Sequence, residues 1–332
     1  MSKRIFLLDT MSQVYRAYHA AAHQRIVMST KAGFPTGATY ILARMMKKLV
    51  EEHKPEYIMA CMEGGKEPTL REKMYPEYKA NRKGETPEDL QRQFGYIDKL
   101  LEAYNLRRIG VPGYEADDII GTLAKQFYEQ DPENHVFIVS GDKDMMQLVN
   151  DRTFIVNPMK DLLADAQKVE LIVGVPPSLV TDVMALRGDT VDNVPGAPGI
   201  GDKGSVAIIK QFGSLTAALD RAGEVTRKSY RESLQNNRAQ IELSHKLVKI
   251  DCEAPIGAVA EEELAKMVFA GPNVEALKEI YVELEFASLI GKESLAAVAD
   301  FAEIVQPDPP KQTDTRTTMS EAEQDKLIDS LF

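Results

Sequence analysis

The sequence predicts an α/β fold: a parallel sheet flanked by helices, followed by a helical second half. Three observations lead there. Short apolar runs alternate with helix-length amphipathic segments up to about residue 170, and that alternation builds a parallel sheet covered by helices. Beyond residue 170 the pattern is helical with little strand character. Asp9, Glu63 and Asp142 each follow an apolar run, which places them at the carboxyl ends of strands, where such sheets build their sites.

In chain order, Ile5–Leu8 reads as a short buried strand ending at Asp9, followed by helices over 12–20 and 37–52. Tyr57–Met62 is a second strand, ending at Glu63. Thr86-Pro87-Glu88-Asp89 opens a helix over 86–104, with an N-cap, a proline in the first turn and early acids. Leu106–Ile109, Val136–Val139 and Phe154–Val156 are three further strands, with a helix over 115–130 between the first two. Residues 306–318 are rich in Pro, Thr, Asp and Gln and read as disordered. The organisation expected is an α/β unit over 1–170, a helical unit over 171–300 and an acidic tail over 301–332.

Composition sets bounds. Hydrophobic residues make up 44% of 332, enough for a real core, and no apolar run reaches the length of a membrane span. The start shows no signal-peptide plan, and two cysteines, Cys61 and Cys252, build neither a disulfide framework nor a four-ligand zinc site. A reduced, cytoplasmic monomer with no membrane partner is expected. The net charge of −11 argues against nucleic acid. Its distribution weakens that argument, because residues 301–332 hold seven acids and three bases.

Clustered acids carry the chemistry. Glu115, Asp117 and Asp118 open a helix whose apolar face is Ile119, Ile120, Leu123 and Phe127. Asp142 and Asp144 follow a strand. Each cluster alone reads as acids favouring a helix N-terminus or capping a turn. Together with Asp9 they would converge on one sheet edge, where unpaired carboxylates are costly. Oxygen-only ligands point to Mg2+, with Mn2+ able to substitute, and so large a set can hold two or more ions. Asp189 and Asp192 stand one helical turn apart, before Gly199-Ile200-Gly201-Asp202-Lys203 and an apolar helix. That string reads as a hairpin whose backbone N–H groups can approach a phosphate. Segment 66–83 holds six bases, three acids and two tyrosines; its bases suit phosphates and its tyrosines suit splayed bases.

Five strings in register carry a resemblance: Tyr15-Arg16-Ala17-Tyr18-His19, Tyr75-Pro76-Glu77-Tyr78-Lys79-Ala80-Asn81-Arg82, Pro112-Gly113-Tyr114-Glu115-Ala116-Asp117-Asp118, Gly141-Asp142-Lys143-Asp144-Met145-Met146-Gln147-Leu148 and Gly188-Asp189-Thr190-Val191-Asp192-Asn193-Val194-Pro195-Gly196. The chain resembles the 5′–3′ exonuclease domain of bacterial DNA polymerase I, in the flap endonuclease family, from about residue 3 to about residue 290. The resemblance implies a PIN-like core, a helical arch near 66–95 and a helix-hairpin-helix-type domain that grips duplex. It implies metal ligation by Asp9, Glu63, Glu115, Asp117, Asp118, Asp142, Asp144, Asp189 and Asp192, and catalytic roles for Lys79 and Arg16. Arg71, Tyr78, Arg82, Gly199, Gly201 and Lys203 are expected to contact DNA. Branched, nicked or 5′-flap DNA is the implied substrate, with RNA-primed DNA as a further one, in replication and repair.

Two positions depart from the family pattern. Thr10 stands where glycine is usual, and Met62-Glu63-Gly64 where Phe-Asp is usual. Glu63 supplies the acid if one extra residue is allowed before Arg71; otherwise Gly64 falls there and the acid is missing. The alternative function is therefore a branched-DNA-binding paralogue that cuts weakly or not at all. An RNA-cleaving nuclease of PIN type is a further alternative, against which the Gly199–Gly201 hairpin argues. The terminal Leu331-Phe332 faintly resembles a sliding-clamp peptide; a short helix docking on its own domain is the other reading.

Overall fold

The computed structural model describes residues 3–23, 28–65, 67–82, 84, 86–257 and 265–290. The tail, with Leu331-Phe332 and its clamp expectation, lies outside them. Strands β1 (Arg4–Asp9), β2 (Tyr57–Cys61), β3 (Arg107–Ile109), β4 (His135–Val139), β5 (Thr153–Asn157) and β6 (Leu162–Ala164) form one sheet in the order β3-β2-β1-β4-β5-β6. The first five run parallel, and β6 pairs antiparallel with β5. An all-parallel sheet was the expectation. Three residues, Leu162-Leu163-Ala164, are too short a run to signal the reversed edge.

The helices in chain order are α1 (Thr10–His23), α2 (Gly37–His53), α3 (Leu70–Met74), α4 (Glu88–Ala103), α5 (Ala116–Gln130), α6 (Ala166–Val173), α7 (Val180–Arg187), α8 (Asp202–Phe212), α9 (Leu215–Asp220), α10 (Lys228–Asn236), α11 (Arg238–Val248) and α12 (Val274–Glu283). Among the described residues, none is long and apolar enough by itself to cross a membrane.

The period-two pleat sorts β1 onto two cores. Ile5 and Leu7 join Val136, Ile138 and Met59 on one face, covered by α5 and by the helices from α7 to α11. Phe6 and Leu8 join Phe137, Val139 and Ile58 on the other, covered by α1, α2, α4 and α12. The Phe6 and Phe137 rings stack at 4.7 Å. Thus α12 comes back to the sheet: Leu277, Ile280 and Tyr281 share the core of Phe6 and Leu8. Because β1 is buried on both faces, its carboxyl end is rigidly placed, and Asp9 with it.

Candidate active site

Asp9 ends the central strand and is 3% exposed. Its Oδ2 accepts the Ser140 hydroxyl at 2.6 Å, and its Oδ1 the Ser12 N–H at 3.4 Å. Ser140 Oγ accepts the Asp142 N–H at 3.0 Å, and Asp142 Oδ1 accepts the Asp144 N–H at 2.9 Å. One hydrogen-bond chain therefore joins the ends of β1 and β4 and aims three aspartates at one edge. Ser140 was not singled out from the sequence; its signal is its place directly after β4. Thr10 turns inward, 1% exposed, with its hydroxyl on the Leu8 carbonyl at 3.4 Å, so the departure at this position stays inside the fold.

Arg16, from α1, donates Nη2 to the Gly141 carbonyl at 2.7 Å. A Cβ at Gly141 would fall 1.6 Å from that nitrogen, so glycine here is what lets the guanidinium lie flat on the turn. Burial lowers the Arg16 pKa, and the charges of Asp142 and Asp9 pull it back up.

The second half contributes through the loop from Gly188 to Gly201, between α7 and α8. Asp189 closes a tight turn: its backbone pairs with Val194 in both directions, and its Oδ1 accepts the N–H groups of Val191 (2.7 Å) and Asp192 (3.1 Å). This turn docks on segment 77–82. The Lys79 N–H donates to the Asp192 carbonyl at 2.9 Å, Asn193 Nδ2 to the Glu77 carbonyl at 2.7 Å, and Asn81 Nδ2 to the Thr190 carbonyl at 3.2 Å. Lys79 sits at φ +53°, and its Nζ reaches Glu115 Oε1 at 2.5 Å and Asp192 Oδ2 at 3.8 Å. Arg82, half exposed, pairs with Asp192.

Electrostatics ties these acids into one system. Burial, helped by the charge of Asp142, pushes Asp9 up to about 6. Burial, then Asp9 and Asp142, push Asp117 well above the usual carboxylate range, with Lys79 opposing. Burial, then Asp142, Asp189 and Asp192, do the same to Asp144. Burial also raises Asp192, against the charges of Lys79 and Arg82. Among the described residues no three metal-binding side chains close around a single point. The acids stand apart, and their raised affinities for protons come first from burial and then from their mutual repulsion. An oxygen-only donor set under this strain fits a hard divalent cation, which would relieve it.

Three expectations need correction. Asp118 is 2% exposed, and its carboxylate is taken by Arg71 (Nη1–Oδ2 and Nη2–Oδ1, both 2.7 Å) and by the Asp251 N–H at 2.9 Å. Both of its oxygens are thus engaged inside the protein. Arg71 is 7% exposed and held inside the protein, so it does not face DNA. Tyr78 is 6% exposed, with its hydroxyl on Glu115 Oε2 at 3.1 Å and Asp192 Oδ2 at 3.4 Å; its ring packs in the core and is not open for stacking. Glu115 accepts from Arg71, Tyr78 and Lys79 together.

Glu63 is exposed, and it lines a cleft of about 780 Å³ with Tyr15, Lys79, Arg82 and Glu115. It is not among the charges that shift Asp9, Asp117 or Asp144. The neighbouring Gly64 cannot carry the missing acid, because a Cβ there would fall 1.6 Å from the Val111 carbonyl oxygen. Gly199, at φ +79°, and Gly201, which precedes α8, face open space, with Lys203 exposed beside them. The hairpin is thus a surface that a backbone phosphate can approach.

Two family models match the chain: the N-terminal resolvase-like domain of 5′-3′ exonuclease over residues 4–174, and its C-terminal SAM fold over 175–272. A 5′-3′ exonuclease of Aquifex aeolicus is 36% identical over 288 residues, covering 87% of this chain and 94% of that protein. DNA polymerase I of Bacillus subtilis is 34% identical over 305 residues, covering 90% of this chain but 33% of the polymerase. The chain therefore spans about a third of that relative. Among solved structures, bacteriophage T5 5′-exonuclease with bound zinc superimposes with a TM-score of 0.63 at 21% identity, over 84% of this chain and all of the other. The catalytic core of Rad2 with DNA substrate superimposes at 0.56 and 17% identity, over 88% of this chain and 92% of the other. The α/β sheet with its helical second half is the fold these structures share, and the chain belongs to the 5′-3′ exonuclease family.

Proposed function

We propose that this nuclease hydrolyses DNA phosphodiesters near the 5′ end of flap, nicked or branched DNA. The observation that carries the reading is the docking of the 189–194 turn onto segment 77–82. It brings Asp189 and Asp192 into the electrostatic reach of Asp144, so one acidic site straddles both halves. Asp9, Glu115, Asp117, Asp142, Asp144, Asp189 and Asp192 would hold divalent ions, Mg2+ in the first place. When bound, such ions supply an activated water and neutralise the leaving oxygen. Lys79 and Arg16 bring positive charge to the phosphate as its own charge grows. Residues 199–203 hold duplex through its backbone, without base readout, and the unpaired 5′ strand runs through the cleft beside Arg82.

A 5′-flap duplex incubated with Mg2+, and in parallel with EDTA, tests the reading. Metal-dependent release of the flap is expected. Binding without cleavage in both Mg2+ and Mn2+ would leave only the non-catalytic DNA-binding paralogue, and preference for single-stranded RNA would support the RNA-cleaving alternative. The exposed position of Glu63 adds a graded expectation. Glu63→Gln lowers kcat by no more than about 10-fold, far less than the loss of an inner aspartate, because each inner acid is buried and coupled by its charge to the others. Single-turnover rates of Glu63→Gln and Asp142→Asn decide it.

A further inference from the structure

We infer that Arg71 is a positioning residue, one that holds Glu115, and through it Lys79, in register with the helical half of the chain. The inference rests on the nuclease reading for one of its two readouts. Arg71 spends all five of its N–H donors inside the protein. Nε reaches the Leu247 carbonyl at 2.8 Å and Nη2 the Lys249 carbonyl at 2.8 Å, both at the end of α11. Nη1 reaches Glu115 Oε2 at 3.0 Å and Asp118 Oδ2 at 2.7 Å, and Nη2 reaches Asp118 Oδ1 at 2.7 Å. Asp118 Oδ1 also accepts the Asp251 N–H at 2.9 Å.

A single planar group thus fixes three things together: the first turn of α5, the chain at 247–251, and α3, on which Arg71 itself sits. Glu115 is the exit from this knot. One of its oxygens is set by Arg71 and Tyr78, and the other holds the Lys79 ammonium at 2.5 Å. A displacement of residues 247–249 must therefore move Arg71, tilt Glu115 and carry Lys79 with it. Lysine cannot replace this arrangement, because one ammonium with three donors cannot reach five acceptors spread around a plane.

Arg71→Lys in the full chain tests the inference with Mn2+ affinity measured by calorimetry without DNA, and with steady-state cleavage of a 5′-flap duplex. The expected result is Mn2+ binding weakened about 10-fold and kcat lowered about 100-fold, with KM within about threefold of wild type. Arg71→Gly should regain part of its kcat with millimolar guanidinium but not with methylammonium, which has charge without the fork. Unchanged Mn2+ affinity and kcat in a folded Arg71→Lys chain overturn the inference. So does a raised KM with a shallower salt dependence, which would place Arg71 on the DNA. Should Arg71→Lys fail to fold, Asp118→Asn weakens the same fork, and both readouts are expected to move in the same directions. A wild-type chain that cuts no 5′-ended DNA defeats the functional reading, and the Mn2+ affinities still decide the role of Arg71.

Discussion

Asp142→Asn is expected to lower cleavage by at least about 10³-fold while raising the thermal stability of the protein in EDTA. The two signs have one cause. Asp142 is among the charges that raise Asp9, Asp117 and Asp144, so its own charge stores repulsion in the folded state. Asparagine keeps the Oδ1 acceptor for the Asp144 N–H and removes that charge. Asp9 shows the dependence on pH. Its folded pKa of about 6 lies above the ordinary 3.8, so the folded protein holds this proton more tightly than the unfolded chain does. The stabilisation is complete below about 3.8 and is lost as pH rises through about 6. Asp117 and Asp144, pushed well above the usual range, extend the loss to higher pH. In EDTA at pH 8 the variant should melt about 2–4 °C above wild type, with the gap closing toward pH 4. Mg2+ should reverse the order at pH 8, stabilising wild type more than the variant. A variant that melts lower than wild type in EDTA at pH 8 would show that Asp142 is held by partners rather than repelled by neighbours.

Much of the frame behind this prediction was legible in the residues. β1 and β4 are continuous apolar runs closed by Asp9 and by Ser140-Gly141-Asp142, and a run buried on both faces has no other reading in an alternating chain. The acids of α5 were legible because Glu115 and Asp118 stand three apart on one face; Asp189 and Asp192 have the same spacing but meet in a tight turn, the Asp192 N–H on Asp189 Oδ1. What composition could not separate was charge at the surface from charge inside. Arg71 and Tyr78 lie in a segment of six bases and read as DNA contacts. Arg71 is held inside by carbonyls at Leu247 and Lys249, 176 and 178 residues further on, and the Tyr78 hydroxyl by Glu115 and Asp192, 37 and 114 residues on; no local pattern announces either. Asp118 looked like its neighbour Asp117 for the same reason. One turn of α5 sends Asp117 toward Asp9 and Asp142 and Asp118 toward Arg71. The antiparallel β6 is a further case, because three residues leave no period to read.

Lys79→Met is expected to move catalysis and metal binding in opposite directions. Lys79 sits at φ +53°, its backbone N–H is fixed by the Asp192 carbonyl, and its ammonium lies 2.5 Å from Glu115 and 5.1 Å from the centre of the Tyr78 ring. Burial alone would lower its pKa, but Glu115, Asp192 and Asp117 outweigh that and raise it, so the group is cationic at every working pH. Against a phosphate, a fixed charge of this kind stabilises what develops in the transition state, and its loss should lower kcat by about 10²–10³-fold with little change in KM. Against divalent ions it is a competitor, because it already neutralises Glu115 and opposes the rise of Asp117. Removing it should therefore tighten Mn2+ binding measured without DNA. A site merely loosened by the substitution would lose both properties together. Reduced turnover with weaker Mn2+ binding would thus count against Lys79 as a charge shared between the carboxylates and the phosphate. Reduced turnover with tighter binding would support that shared role, since destabilisation gives no reason for affinity to rise.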